Sequence, residues 1–105
     1  MLKSRNTLAL SFATLVLLSG SVFADGAATY TAKGCMACHG ADAKTPTTPM
    51  YPKIAGQSKE YLTAQMKDIK SGKRNNGQTA VMKPIMAGVS DAEITALAEY
   101  LSGLK

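Results

Sequence analysis

The sequence predicts an all-α fold. Two segments repeat their apolar residues at helical spacing behind a capping serine, and no stretch alternates convincingly as a strand. In chain order, the Ala-rich stretch Ala27 to His39 reads as a first helix, with Tyr30 inside it. Gly40 to Gly56 contains Pro46, Pro49, Pro52 and both bounding glycines, so it reads as loop. Ser58 can cap a second helix, with Glu60 in its first turn and Gly72 as its stop. Its apolar positions Tyr61, Leu62, Met66 and Ile69 recur at helical intervals. Lys73 to Gly88 reads as a second loop, polar at first and then carrying Met82, Pro84 and Met86. Ser90 and Glu93 form a capping box for a last helix, in which Ile94, Leu97, Ala98 and Leu101 follow one another and Gly103 ends the run. No internal repeat is present.

The chain is 105 residues long, which allows one domain. Residues 1–24 have the layout of a cleaved export signal: Lys3 and Arg5, an apolar run from Leu8 to Leu18, then the small-x-small ending Val22-Phe23-Ala24. The apolar run is too short and too interrupted by Ser and Thr to span a membrane well. Cleavage after Ala24 would leave residues 25–105 as the working domain, 81 residues with no Phe or Trp. A core this small usually needs a staple such as a disulfide, a metal or a bound cofactor. A multidomain enzyme, a repeat array and a channel are excluded by size.

Loss of Lys3 and Arg5 lowers the formal charge from +5 to +3. The charge is uneven. Lys44, Lys53, Lys59, Lys67, Lys70, Lys73, Arg74 and Lys83 face only Glu60 and Asp68 over the middle of the chain, whereas Asp91, Glu93 and Glu99 dominate the end. An exported protein with this modest charge is a poor match for nucleic acid. The basic middle suits a solvated face or a docking surface for an acidic protein.

Both cysteines of the chain, Cys35 and Cys38, stand immediately before its one histidine, His39. Three chemistries compete for Cys-x-x-Cys-His. A thiol redox site needs a neighbouring βαβ pattern, and none is visible. A zinc site needs further ligands, and no second Cys or His pair exists. Covalent haem attachment meets neither objection: two thiols three positions apart on a helical turn can each add to a vinyl group of one porphyrin, and the next residue then lies under the ring.

The run Cys35-Met36-Ala37-Cys38-His39-Gly40, the stretch Tyr51-Pro52-Lys53-Ile54-Ala55-Gly56-Gln57, and Met82-Lys83-Pro84-Ile85 ahead of Ser90-Asp91-Ala92-Glu93-Ile94 together resemble a small class I c-type cytochrome. The likeness is to the bacterial cytochrome c-553 type and to either half of the dihaem cytochrome c4 type, over essentially residues 25–105. It implies three to four helices wrapped round one covalently bound haem c, with the terminal helices crossing. It also implies a soluble, periplasmic, monomeric carrier of single electrons between redox partner proteins, rather than an enzyme. A fixed subunit of a larger periplasmic dehydrogenase and a ligand-binding haem protein with an open iron are the alternatives.

A second axial ligand distinguishes a carrier from an open haem, and with one His in the chain a Met thioether is the natural choice. Residues 25–105 offer Met36, Met50, Met66, Met82 and Met86. Met36 lies on the His39 side, Met66 reads as core, and Met50 reads as packed beside Pro49. The resemblance places the ligand eight residues before the capping serine, at Met82, with Met86 as the alternative. It also implies that a proline carbonyl accepts the second ring N–H of His39, and Pro49 fits best, ahead of Pro46. Tyr30 and Tyr100 are expected to pack where the first and last helices meet. Tyr51 and Tyr61 are divided between a haem propionate and the core.

Overall fold

The computed structural model describes residues 21–105, with side chains from Asp25 onward. The expected leader, residues 1–24, lies outside the described residues except for its last four, which form the first turn of a helix. Among the described residues the chain is all-α: α1 is Ser21–Ala32, α2 is Met36–His39, α3 is Lys59–Ser71, α4 is Thr79–Ala87 and α5 is Asp91–Ser102. The expected three to four helices become five for two reasons. The first predicted helix is broken: Gly34 takes a left-handed φ of 77°, and His39 therefore ends a separate single turn. The second predicted loop contains α4, which forms despite an internal Pro84.

α3 and α5 follow their local signals closely. The backbone N–H of Tyr61 donates to the Ser58 hydroxyl at 3.1 Å, and Gly72 closes α3 in the left-handed region. At the start of α5, Glu93 N–H donates to Ser90 Oγ at 3.1 Å while Ser90 N–H donates to Glu93 Oε1 at 2.9 Å. That backbone donor, reinforced by Lys33, holds the Glu93 carboxyl below its ordinary range.

The core gathers Leu62, Met66 and Ile69 of α3, Met86 of α4, Val89, and Ile94, Leu97, Ala98 and Leu101 of α5 around Tyr30 of α1. α1 and α5 cross at very short range, because Gly26 carries no side chain. A Cβ there would lie 2.3 Å from the Ala96 carbonyl oxygen and 2.4 Å from Tyr100 Cβ. One turn further along α1, the rings of Tyr30 and Tyr100 meet with centroids 5.9 Å apart and planes inclined at 53°, as expected for these two tyrosines. Outside the crossing, Lys59 pairs with Glu99 to link α3 to α5, and Lys33 Nζ, just beyond the end of α1, lies 3.7 Å from Glu93 of α5.

Gly26→Val forces the α1–α5 crossing apart, since the opposing atoms are backbone and a Cβ that cannot swing away. The variant is expected to lose about 3 kcal/mol of unfolding free energy, read by denaturant titration of the haem-loaded protein.

Candidate functional site

The single turn α2 and its N-cap, Cys35, hold the three residues that the sequence marks as chemical. Cys35 and Cys38 are free thiols, both half-buried, and His39 is 6% exposed. Backbone bonds secure the turn, among them Cys38 N–H to the Cys35 carbonyl at 3.2 Å and His39 N–H to the same carbonyl at 3.0 Å. The Tyr30 hydroxyl donates to the Gly40 carbonyl at 2.6 Å, so the buried helix crossing grips the far end of the motif. Gly40 has a φ of 90°, and a Cβ there would lie 2.1 Å from the Thr45 carbonyl oxygen. Only glycine allows the chain to turn back so tightly at that point.

The following loop lacks regular structure but is thoroughly hydrogen-bonded. The Asp42 carboxylate accepts from the N–H groups of Lys44 and Thr45 at 2.8 and 2.9 Å, and those donors hold its pKa below the ordinary range. Thr47 returns to α2 twice: its N–H donates to the Cys38 carbonyl at 3.0 Å and its hydroxyl donates to the Ala37 carbonyl at 3.1 Å. Ile54 and Ala55 N–H both donate to the Ala43 carbonyl at 3.0 Å, and Gly56 N–H donates to Leu101 of α5 at 2.8 Å.

His39 Nδ1 lies 2.8 Å from the Pro52 carbonyl oxygen. A carbonyl accepts only, so Nδ1 carries the proton and Nε2 keeps its lone pair free for a metal. The acceptor is a proline carbonyl of this loop, as expected, but the residue is Pro52 rather than Pro49. Pro49 is exposed in the turn that Tyr51 N–H closes onto the Thr48 carbonyl at 3.2 Å, so the chain reaches His39 only after that turn. Pro46 does not supply the acceptor either. Three prolines within one irregular loop offer no periodicity from which the right carbonyl could be chosen.

The methionines separate by environment. Met66 and Met86 are core, 9% and 3% exposed. Met50, expected to pack, is 59% exposed because its turn projects outward. Met82 lies one helical turn before Met86 on α4, half-buried and packed against the core edge. It therefore belongs to a helix rather than to the expected loop. Val81 and Ile85, on the neighbouring stripe of α4, are exposed, as is Tyr61 of α3.

The three chemistries left open by the motif are unequal in this geometry. Among the described residues no group of three or more His, Cys, Asp or Glu side chains could hold a metal ion, so zinc lacks its remaining ligands. Burial, with the nearby Cys38 adding to it, raises the Cys35 pKa, whereas thiol exchange works best through a lowered one. Haem fits the residues present: two free thiols on one turn, an adjacent imidazole with Nε2 available, and apolar side chains on α4 to cover a porphyrin face.

Comparison with known proteins agrees. The sequence profile of the family described as Cytochrome c matches residues 23–105. The chain belongs to the cytochrome c family. This cytochrome is 41% identical over 68 residues to cytochrome c-554(548) of Halomonas halodenitrificans, covering 65% of this chain and 81% of that one. It is 40% identical over 103 residues to cytochrome c4 of Pseudomonas aeruginosa, covering 95% of this chain but 49% of that protein. The crystal structure of reduced recombinant cytochrome c4 from Pseudomonas stutzeri superposes with a TM-score of 0.71 at 28% identity, over 81% of this chain and 49% of that one. The chain thus spans about half the length of the cytochromes c4 it matches. Family membership implies a covalently bound haem c and a role in electron transfer, and the all-α fold agrees with that structure.

Burial pushes the Tyr30 phenol well above its ordinary pKa, with Cys35, Tyr100 and Asp42 adding to the effect. The folded state favours the protonated phenol, so its contribution is complete below the unfolded pKa of about 10 and is lost as pH rises beyond it. Tyr30→Phe is expected to cost about 1 kcal/mol at neutral pH. The gap in stability between wild type and variant should then narrow above about pH 10, as measured by denaturant titration across pH.

Proposed function

We propose that Cys35 and Cys38 hold the haem through two thioether bonds, that His39 Nε2 and Met82 Sδ are its axial ligands, and that the protein carries single electrons between redox partners in the periplasm. The observation that carries this reading is the Nδ1 bond of His39 to Pro52, which presents Nε2 beside two free thiols on one helical turn. Bound haem supplies one-electron chemistry by cycling its iron between ferric and ferrous states. The chain's own residues set the conditions for it. Pro52 fixes the tautomer and plane of the imidazole. The half-buried position of Met82 leaves its thioether able to reach an iron, while Met86 is committed to the core. A His/Met pair raises the reduction potential and closes both axial positions to exogenous ligands. No helix among the described residues is long and apolar enough to cross a membrane.

The docking surface is basic. Lys44, Lys53, Lys67, Lys73 and Lys83 are exposed, whereas Arg74 turns inward to donate to Gln65 at 3.1 Å. Such a surface favours an acidic redox partner through long-range attraction.

Met82→Ala is expected to retain covalent haem, lower the potential, abolish the weak thioether-to-iron band at the red end of the ferric spectrum and admit carbon monoxide to the ferrous iron. Met86→Ala is expected to keep the band and the closed iron but lose about 2–4 kcal/mol of stability by leaving a core cavity. Visible spectra with and without carbon monoxide separate the two, and a band lost only in Met86→Ala would move the ligand by one turn. For docking, the rate of electron exchange with an acidic partner is expected to fall as ionic strength rises. Stopped-flow rates that stay flat with salt would remove the electrostatic surface from the reading.

A further inference from the structure

α4 carries the axial thioether yet lacks the local devices that stabilise a short helix. Its N-cap, Gln78, makes no side-chain capping bond, its first turn has no acid, its last turn has no base, and Pro84 interrupts its interior. Proline at that position removes the donor that the Ala80 carbonyl would otherwise receive and disfavours helical geometry in the residue before it. By contrast, α3 and α5 both begin on a serine whose hydroxyl accepts a backbone bond. The support for α4 comes from elsewhere in the chain.

Two lysines supply it. Lys33, two residues before Cys35, donates from Nζ to the Gly88 carbonyl at 2.7 Å. Lys70, in the last turn of α3, donates from Nζ to the Val89 carbonyl at 2.5 Å. These are consecutive carbonyls just beyond the C-terminus of α4, where the partial negative charge of the helix accumulates. Two ammonium groups there make charge-assisted bonds and complement the dipole together. The contact is also mutual, since Lys83 of α4 lays its ammonium beside Gly72 at the end of α3: a Cβ on that glycine would lie 3.2 Å from Lys83 Nζ. Lys33 extends the tie to the haem-attachment segment, 55 residues away in sequence, and its second partner is Glu93 at 3.7 Å.

We propose that Lys33 and Lys70 are positioning residues for the axial thioether: by closing the Gly88 and Val89 carbonyls they hold α4, and with it Met82, in place over the iron. The inference rests on the reading of Met82 as ligand. Neither lysine touches the haem iron; both act through the helix. Loss of one loosens α4 locally and lets the thioether leave the iron more often, while the core of α3 and α5 stays intact.

The test uses the haem-loaded protein and compares Lys70→Met, Lys33→Met and their combination with Lys70→Arg. Lys105→Met, an exposed lysine outside the basic segment, controls for the change in charge. Met82→Ala defines the fully open iron. The readouts are the rate of carbon monoxide binding to the ferrous protein, the thioether band of the ferric protein, and the global unfolding midpoint. Lys70→Met is expected to bind carbon monoxide about tenfold faster than wild type, the effect of losing one charge-assisted bond. The double variant is expected to bind faster still, with Lys70→Arg restored towards wild type and Lys105→Met unchanged. If the lysine variants bind no faster than Lys105→Met while Met82→Ala opens the iron, the positioning role is overturned and the ligand stands. A fall in the unfolding midpoint without faster binding overturns it equally, because it shows a purely structural role. If Met82→Ala itself leaves band and rate unchanged, the ligand reading fails and this proposal fails with it. Should Lys70→Met not fold, Lys33→Met and Lys70→Arg carry the comparison.

Discussion

One buried side chain, Tyr30, joins the scaffold of this protein to its chemistry. Its ring packs on Tyr100 where α1 and α5 cross, and its hydroxyl donates to Gly40 directly after His39. The crossing depends on Gly26, which lets the two helix backbones approach until no Cβ would fit. The apolar contact and the polar one thus reside on the same residue. A shift in the crossing moves the hydroxyl, and the hydroxyl holds the end of the haem-binding turn. A core this small has few places to anchor a site, and here the strongest packing and the site anchor coincide.

Beyond that anchor, the site is built mainly from backbone groups. The Cys35 carbonyl holds the turn, the carbonyls of Ala37 and Cys38 accept from Thr47, and the Pro52 carbonyl accepts from His39. The loop between α2 and α3 has no helix or strand to satisfy its polar groups, so it satisfies them on the motif, on Ala43 and on α5. This is why an irregular segment can hold an imidazole in a defined plane. Every bond in the loop constrains the one acceptor that fixes the tautomer.

The helix that carries Met82 follows another rule. α4 lacks local capping devices; Lys33, just after α1, and Lys70 of α3 bond the carbonyls that follow it, and its own Thr79 and Met86 are buried. Its two methionines show how burial divides labour between identical side chains. Met86 is consumed by the core, whereas Met82, one turn earlier, remains at the core edge.

The sequence alone determined the helical class and both serine-capped helices, and it carried the motif on which the proposed haem attachment rests, because each of these is written in neighbouring positions. A capping box needs only Ser90 and Glu93, and the proposed covalent attachment needs only Cys35, Cys38 and His39. The pairing of Tyr30 with Tyr100 was also legible, as aromatic residues on two helices expected to cross. Tertiary structure decided the rest. The break at Gly34 came from the need to turn α2 out of line with α1, which local helix propensity in an Ala-rich stretch conceals. α4 could not be read because its supports come from Lys33 and Lys70, distant in sequence, while its own Pro84 argues for a loop. Pro52 displaced Pro49 because the acceptor is a backbone carbonyl, a group every residue possesses, and only the path of the folded loop determines which one meets the imidazole.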